Sequence, residues 1–354
     1  MEGNIHTGYW SIVLDHGIFG KYREHLNVNT DFKKSIFFFN SSKALLKITS
    51  PCQMLKYNGE IELADKLKNI DINSEFFCKY YAKKNKLDFL ESDCKFIEDI
   101  KKMLSNTFLF LENPSFPIIY YFIENVGNIE LHKILADISI GKNLFTEEKR
   151  VKEFSYHMMS AVSYLHYNNV CHFDIKPENI MYDNNPMKEF GKRFKIIDFG
   201  YAEEYPFNNY LNCGRVCGTE YYCPLPLIMR KDLDEINNSL VNINCNDWCN
   251  IEINNQKKVF HYCSQVGVSK FLLLKSDVYS LGMVIYQTVY LLEKHTFIFD
   301  KNKDKLKKFK KLLFQMLNPD INSRPNIFTC LESKVFSEFK MSERRKKRSC
   351  IFCC

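Results

Sequence analysis

The run His172-Phe173-Asp174-Ile175-Lys176-Pro177-Glu178-Asn179, followed after a hairpin-like linker by Ile196-Ile197-Asp198-Phe199-Gly200, governs the reading of everything around it. It sets a carboxylate, an ammonium and an amide within six residues, and a second carboxylate just before a glycine turn. Such a set suits a site for phosphate and a hard divalent cation, which takes oxygen ligands. Asp174 can accept a hydroxyl proton, Lys176 can neutralise a phosphoryl group in transfer, and Asn179 with Asp198 can supply oxygen ligands to Mg²⁺. Either turn alone is equally well read as a polar turn whose Asp and Asn cap helices. The two in order leave that reading little room.

The chain around this run has 354 residues, enough for one large two-part fold or two domains. Its 45% hydrophobic and 26% charged residues are ordinary globular usage, which excludes a wholly disordered, collagen-like or repeat-only protein. No apolar run reaches the roughly 18 residues a membrane span needs; the stretch around Gly282–Leu292 is broken by Tyr and Gln. The opening MEGNIHTGYW lacks the basic-then-apolar pattern of a signal peptide, so a cytoplasmic location is expected. Five positive charges of a net +7 sit consecutively at Arg344–Arg348; the remainder is close to neutral and implies no nucleic-acid partner. Fourteen scattered Cys without a secretory signal are expected to be reduced thiols, most of them small core residues.

Up to about Leu111 the text reads as short β-like runs, such as Ser35–Asn40, Lys43–Thr49 and Thr107–Glu112, interrupted by a helix with Ile61, Leu63, Ala64 and Leu67 at helical spacing. Phe116–Ile123 reads as a strand running into the linker Glu124–Gly127. Helical periods follow over Glu147–His166 and Asp277–Leu292. The expectation is an α+β chain with a β-rich first third, a helical remainder and a seam near Glu124–Glu130. Asn69–Leu87 and Lys231–Lys258, rich in Asn, Lys and Ile, read as loop insertions.

The two polar segments resemble the catalytic loop and the metal-binding D-F-G loop of eukaryotic protein kinases, and the similarity extends over most of the chain. Leu14-Asp15-His16-Gly17-Ile18-Phe19-Gly20 is similar to the family's glycine-rich phosphate loop, with Asp15 where the first glycine belongs. Ala44-Leu45-Leu46-Lys47 resembles the V-A-I-K strand whose Lys contacts the nucleotide phosphates; its carboxylate partner is expected at Glu60, with Glu62 as the second candidate. Ile118–Leu135 resembles the hinge between lobes, with Ile123 as gatekeeper, Glu124 and Val126 offering backbone groups to adenine, and Glu130 reaching the ribose. Asp277-Val278-Tyr279-Ser280-Leu281-Gly282 looks like the buried helix whose Asp holds the catalytic loop, although an Asp opening an apolar helix is also a plain N-cap. Asn322-Ser323-Arg324-Pro325 and Cys217-Gly218-Thr219 match later family turns, and Lys176-Pro177-Glu178 with Thr219 looks like the serine/threonine branch.

The departures are specific. Phe173 replaces the arginine that in the family docks a phosphate on the activation loop, and Arg215-Val216 stand where a phosphorylatable residue belongs; activity independent of such phosphorylation is expected. Cys223-Pro224-Leu225-Pro226 stands in place of Ala-Pro-Glu, which deprives Arg324 of its usual Glu, and a buried unpaired Arg is costly unless another acidic group serves. Leu45 and Tyr22 are larger than the residues usual around adenine, and Ala64 is smaller than the residue usually packed toward Phe199. Insertions are expected at about 70–103, where Cys94–Leu104 has the pattern of a short amphipathic helix, and at about 229–271. The second holds Cys245, Cys249, His261 and Cys263, whose His-x-Cys pair is not a standard zinc spacing.

The segment Glu343–Cys354 joins five cations to Cys350, Cys353 and Cys354 and resembles the lipidated ends of small GTPases. A four-residue prenylation box is absent because Ile351 stands at its Cys position, and the alternative for the basic run is nuclear localisation. The resemblance therefore implies a bilobal protein-kinase-like fold with an N-terminal lobe at 1–126, a C-terminal lobe at 127–340 and a basic Cys-containing tail at 341–354. It implies ATP and Mg²⁺ between the lobes under Gly17–Gly20, protein substrates and an anionic membrane partner. The catalytic set is Asp174, Lys176, Lys47 and Glu60; Leu14, Gly17, Gly20, Lys47, Glu124, Val126 and Glu130 hold the nucleotide, and Asn179 and Asp198 the metal. The alternatives are a pseudokinase scaffold at a membrane and a small-molecule phosphotransferase.

Overall fold

Aliphatic and aromatic runs build a sheet in the first part of the chain and helices in the second. The structure is a computed structural model that describes residues 5–7, 11–14, 44–49, 59–84, 119–127, 129–205, 222, 270–296, 303–318 and 320–340. The chain divides into two units, Met1–Gly127 and Asn128–Cys354.

In the first unit, β1 (Ile5–Thr7), β2 (Ser11–Leu14), β3 (Ala44–Thr49), β4 (Tyr80–Lys84) and β5 (Ile119–Glu124) form an antiparallel sheet in the order β1-β2-β3-β5-β4. Residues such as the Leu, Ile, Tyr and Phe of β3 and β5 favour a pleated, half-buried surface. The register sets Lys47 between Val13 and Tyr121 and Leu45 opposite Ile123. Helix α1 (Gly59–Ile70) turns Leu63, Ala64 and Leu67 inward at helical spacing.

The region just after α1 differs from the expected loop insertion. Asp71 accepts the amides of Glu75, Phe76 and Phe77 at 2.7–2.9 Å, which folds the chain back sharply. Phe76, Phe77, Cys78 and Tyr80 are buried, and β4 lies inside the stretch assigned to an insertion at about 70–103. Its Asn and Lys content suggested a loop, but three large side chains within five residues, Phe76, Phe77 and Tyr80, favour burial by about 1.5–3 kcal/mol each. Ser35–Asn40, Cys94–Leu104 and Thr107–Glu112 lie outside the described residues.

The second unit runs β6 (Ile129–Glu130), α2 (Leu131–Ser139), α3 (Glu148–Tyr167), β7 (Val170–Cys171), β8 (Ile180–Tyr182), β9 (Phe194–Ile196), β10 (Glu203–Glu204), α4 (Lys270–His295), α5 (Lys303–Met316) and α6 (Ile327–Leu331). Strands β6, β8 and β9 make one small antiparallel sheet, and β7 pairs with β10. Val151, Phe154, Met158, Ala161, Val162 and Leu165 of α3 are all fully buried, as their spacing predicts. The β8–β9 hairpin is locked onto α3 by a close approach: a Cβ on Gly191 would lie 2.7 Å from the Glu153 carbonyl oxygen. The rings of Phe154 and Phe194 meet edge-on at 4.7 Å beside Phe145 and Phe190.

Helix α4 begins at Lys270, two turns earlier than the sequence pattern suggested and within the stretch assigned to the second insertion. Asp277 therefore sits inside the helix, and the N-cap reading is wrong. Cys78, Cys171 and Cys330 are unbridged and buried, as expected of reduced core thiols. Among the described residues no helix is long and apolar enough to cross a membrane.

Candidate active site

Two loops of the second unit carry the chemistry-bearing residues. One leaves β7 at His172 and ends in the 3-10 turn Pro177–Asn179; the other leaves β9 and holds Ile197–Gly200. Helix α4 fixes the first from below. The Asp277 carboxylate accepts the His172 amide at 2.8 Å and the Phe173 amide at 2.9 Å, and contacts His166 Nε2 of α3 at 3.1 Å. Burial pushes the Asp277 carboxyl upward, but the hydrogen bond and charge of His166, with the amide hydrogen bond of His172, outweigh it and hold the group below the ordinary carboxylate value.

His172 ties the two loops together. Its Nδ1 accepts the Asp174 amide at 3.2 Å, so Nε2 carries the proton and donates to the Ile197 carbonyl at 3.1 Å. The same ring meets Phe199 at 4.8 Å. A second tie runs from the Ile197 amide to the Asn179 carbonyl at 2.9 Å. Phe173 and Asp198 both have left-handed backbones, φ 62° and 59°, a conformation that costs a non-glycine residue about 1–2 kcal/mol and concentrates at functional sites.

Inside this frame Asp174 is almost fully buried. Its Oδ2 receives Asn179 Nδ2 at 3.0 Å and Lys176 Nζ at 3.0 Å, and its backbone oxygen also takes Asn179 Nδ2 at 2.9 Å. With Nδ2 committed to Asp174, Oδ1 is what Asn179 has to offer a hard cation. Asp198 is half-buried on the adjoining loop and adds a carboxylate. An amide oxygen and a carboxylate are the donor chemistry that Mg²⁺ selects. The ammonium of Lys176, a fifth exposed, stands ready for an anionic group.

The arginine-to-phenylalanine departure has a packing counterpart: Phe173 is buried with Cys171, Leu273 and Leu274, and the half-buried Tyr201 packs on them. Arg324 is 1% exposed and is met by backbone carbonyls. Its Nε and one terminal nitrogen donate to the Asn318 oxygen at 3.0 and 2.9 Å, the other donates to the Lys275 oxygen at 2.9 Å, and Tyr279 stacks at 4.9 Å. The expected need for a new acidic partner is thus met in large part by oriented carbonyl dipoles and a ring face. Arg215, Val216, Cys217–Thr219 and Cys223–Pro226 lie outside the described residues, as do Cys245, Cys249, His261, Cys263 and the tail.

The nucleotide-binding candidates fall in the first unit, apart from Glu130. Leu14 ends β2 and Lys47 is central in β3, while Glu60 and Glu62 lie in the first turns of α1; the side chains of these residues, and all of Gly17 and Gly20, lie outside the described residues. Glu124 is tightly held: its amide donates to the Lys79 carbonyl at 2.8 Å, its carboxylate accepts Ser74 Oγ at 2.7 Å, and its carbonyl receives the Cys78 thiol at 3.4 Å. Val126 is buried, Ile123 half-buried, and Glu130 opens α2 facing Lys133 at 3.7 Å. Sequence reasoning missed the roles of His166 and of the His172 ring. The usable signal for His166 was its place on the buried face of α3, one turn after Val162.

Residues 92–237 match the family described as protein kinase domain. The chain is 33% identical over 117 residues to an Aurora kinase of Yarrowia lipolytica, covering 33% of this chain and 28% of the relative. It is 25% identical over 266 residues to 3-phosphoinositide-dependent protein kinase B of Dictyostelium discoideum, covering 72% and 25%. A third relative, serine/threonine kinase NLK of Caenorhabditis elegans, is 32% identical over 117 residues, covering 33% and 17%. The chain thus spans between about a sixth and about a quarter of these relatives' lengths. With the α+β fold and the loop geometry, these partial matches support one class, the eukaryotic protein kinase superfamily.

Proposed function

We propose that the chain is a serine/threonine protein kinase that moves the γ-phosphoryl group of ATP to a protein hydroxyl in the cytoplasm, held at an anionic membrane by Arg344–Arg348 and by lipid on Cys350, Cys353 or Cys354. The observation that carries the catalytic part is the meeting of Lys176 and Asn179 on one buried oxygen of Asp174. That arrangement fixes the carboxylate for a substrate hydroxyl, whose proton Asp174 accepts. Lys176 stabilises the negative charge of the phosphoryl group, while Asn179 and Asp198 supply oxygen ligands. Mg²⁺ bound there would neutralise phosphate charge. Lys47 paired with Glu60 holds the nucleotide phosphates, with Leu14, Gly17, Gly20, Glu124, Val126 and Glu130 around the base, ribose and phosphates. The serine/threonine preference draws on Lys176-Pro177-Glu178 and on the similarity to the serine/threonine kinase of Caenorhabditis elegans.

Phosphoamino-acid analysis of a basic protein substrate tests the preference: phosphoserine or phosphothreonine is expected, and phosphotyrosine alone would refute it. Fractionating cells that express Cys350/Cys353/Cys354→Ser tests the attachment. Release to the soluble fraction is expected, whereas unchanged membrane association would refute lipid anchoring.

A further inference from the structure

Helix α5 reads Lys-Asp-Lys-Leu-Lys-Lys-Phe-Lys-Lys-Leu-Leu-Phe-Gln-Met, and its two faces have opposite characters. Leu306, Phe309, Leu312, Leu313 and Met316 are buried, while Lys307, Lys308 and Lys311 are exposed and Lys310 pairs with Glu293 of α4. Lys308 and Lys311 line a cavity of about 520 Å³ with Lys334 of the turn Lys334–Phe336 and with Lys152 of α3. Glu148 already neutralises Lys152; among the described residues Glu338 is the one carboxylate in the lining, and Lys308, Lys311 and Lys334 make no ion pair. The cavity is therefore cationic, and Ser333 and Ser337 add hydroxyl groups to it.

The same corner is the root of the basic tail. Phe336 packs on Phe309 of α5 at 6.2 Å, and Phe339 stacks on Tyr156 of α3 at 5.5 Å, so the chain is fastened there up to Lys340. Arg344 follows four residues later in the sequence, which keeps it within about 14 Å of Lys340 whatever path the chain takes. Three cations of the fold that are unpaired among the described residues thus lie where the chain leads on, in sequence, to the five cations of the tail.

We propose that this cavity binds the phosphate of anionic lipid head groups, so that the second unit docks onto a membrane through α5 and the Lys334 turn. This rests on the membrane reading of the tail given above. An extended anionic surface meets the cavity lysines and a row of tail cations together, whereas one acidic peptide side chain would satisfy the cavity alone. Each cation near such a surface strengthens partition about fivefold, so the three lysines together contribute about a hundredfold.

The test uses the full chain without lipid, sedimented with phosphatidylcholine vesicles that contain or lack phosphatidylserine. Wild type should bind only the anionic vesicles, Lys308→Gln/Lys311→Gln/Lys334→Gln should weaken binding about a hundredfold, and the corresponding triple Lys→Arg variant should bind as wild type. That last result separates charge from folding. If the triple Gln variant binds as wild type while neutralising Arg344–Arg348 abolishes binding, the cavity proposal fails and the tail reading stands. If wild type ignores anionic vesicles, both fail. If wild type ignores them but binds an acidic phosphopeptide in a manner lost in the triple Gln variant, the cavity serves a protein partner and the lipid proposal is overturned.

Discussion

The amide of His172 donates to Oδ2 of Asp277 across 2.8 Å, although 105 residues separate them. Through that bond, and its neighbour from Phe173, the buried helix α4 sets the height and direction of the loop that carries Asp174. The loop has little regular structure of its own, so its shape depends on this distant carboxylate and on the His172 ring.

Asp277→Ala should therefore damage both stability and turnover. It strands two buried amides and the His166 ring, each at about 1–3 kcal/mol, for a total of at least about 3 kcal/mol. Thermal unfolding should show that loss, and phosphotransfer should fall at least about a hundredfold as Asp174 shifts. Unfolding at the wild-type temperature would show that the loop is held by something else.

Acid should reveal the same carboxylate. Its folded-state value lies below the ordinary one, so its contribution is complete above the unfolded value near pH 4 and is lost as pH falls through the lower folded value. Urea unfolding followed from about pH 5 to pH 2 should lose stability more steeply in wild type than in Asp277→Asn. Parallel profiles would contradict the assignment.

At Phe173 the expectation is an asymmetric tolerance. Phe173→Leu keeps the apolar contact with Leu273 and Leu274 and should cost under about 1.5 kcal/mol. Phe173→Arg, which restores the family's usual residue, places a charge among those leucines and should cost about 3 kcal/mol or more by denaturant midpoint. An arginine variant as stable as wild type would mean that the cluster opens readily.

Burial pushes the Cys330 thiol up to about 12, so almost none of it is thiolate near neutral pH. Peptide mapping after iodoacetamide treatment should find Cys330 modified about a thousandfold more slowly in the native protein than in urea. Equal rates would show that α6 opens on the labelling timescale.

Much of the second unit was legible because its signals are local. The 3.6-residue period of α3 reports the buried face directly, and the two polar loops are contiguous in sequence. Elsewhere long-range partners decided the outcome. Asn and Lys around Phe76–Tyr80 suggested an insertion, yet Asp71 gathers three amides and turns those rings inward. Asp277 looked like a helix start because its apolar run begins there, but Leu273 and Leu274 extend the helix by packing on Phe173, a residue a hundred positions earlier. Arg324 seemed stranded without a glutamate, and no sequence pattern announces the Asn318 and Lys275 carbonyls that converge on it.

The decisive measurement is γ-phosphate transfer from Mg²⁺-ATP to a basic protein substrate by wild type and by Asp174→Asn. Asparagine keeps the side chain's shape and its contact with Lys176 but cannot accept the hydroxyl proton. Wild type should transfer phosphate and the variant should be slower by about a hundredfold to ten-thousandfold while still binding nucleotide. Wild type that binds nucleotide yet transfers nothing, or a variant as fast as wild type, would contradict catalysis by Asp174.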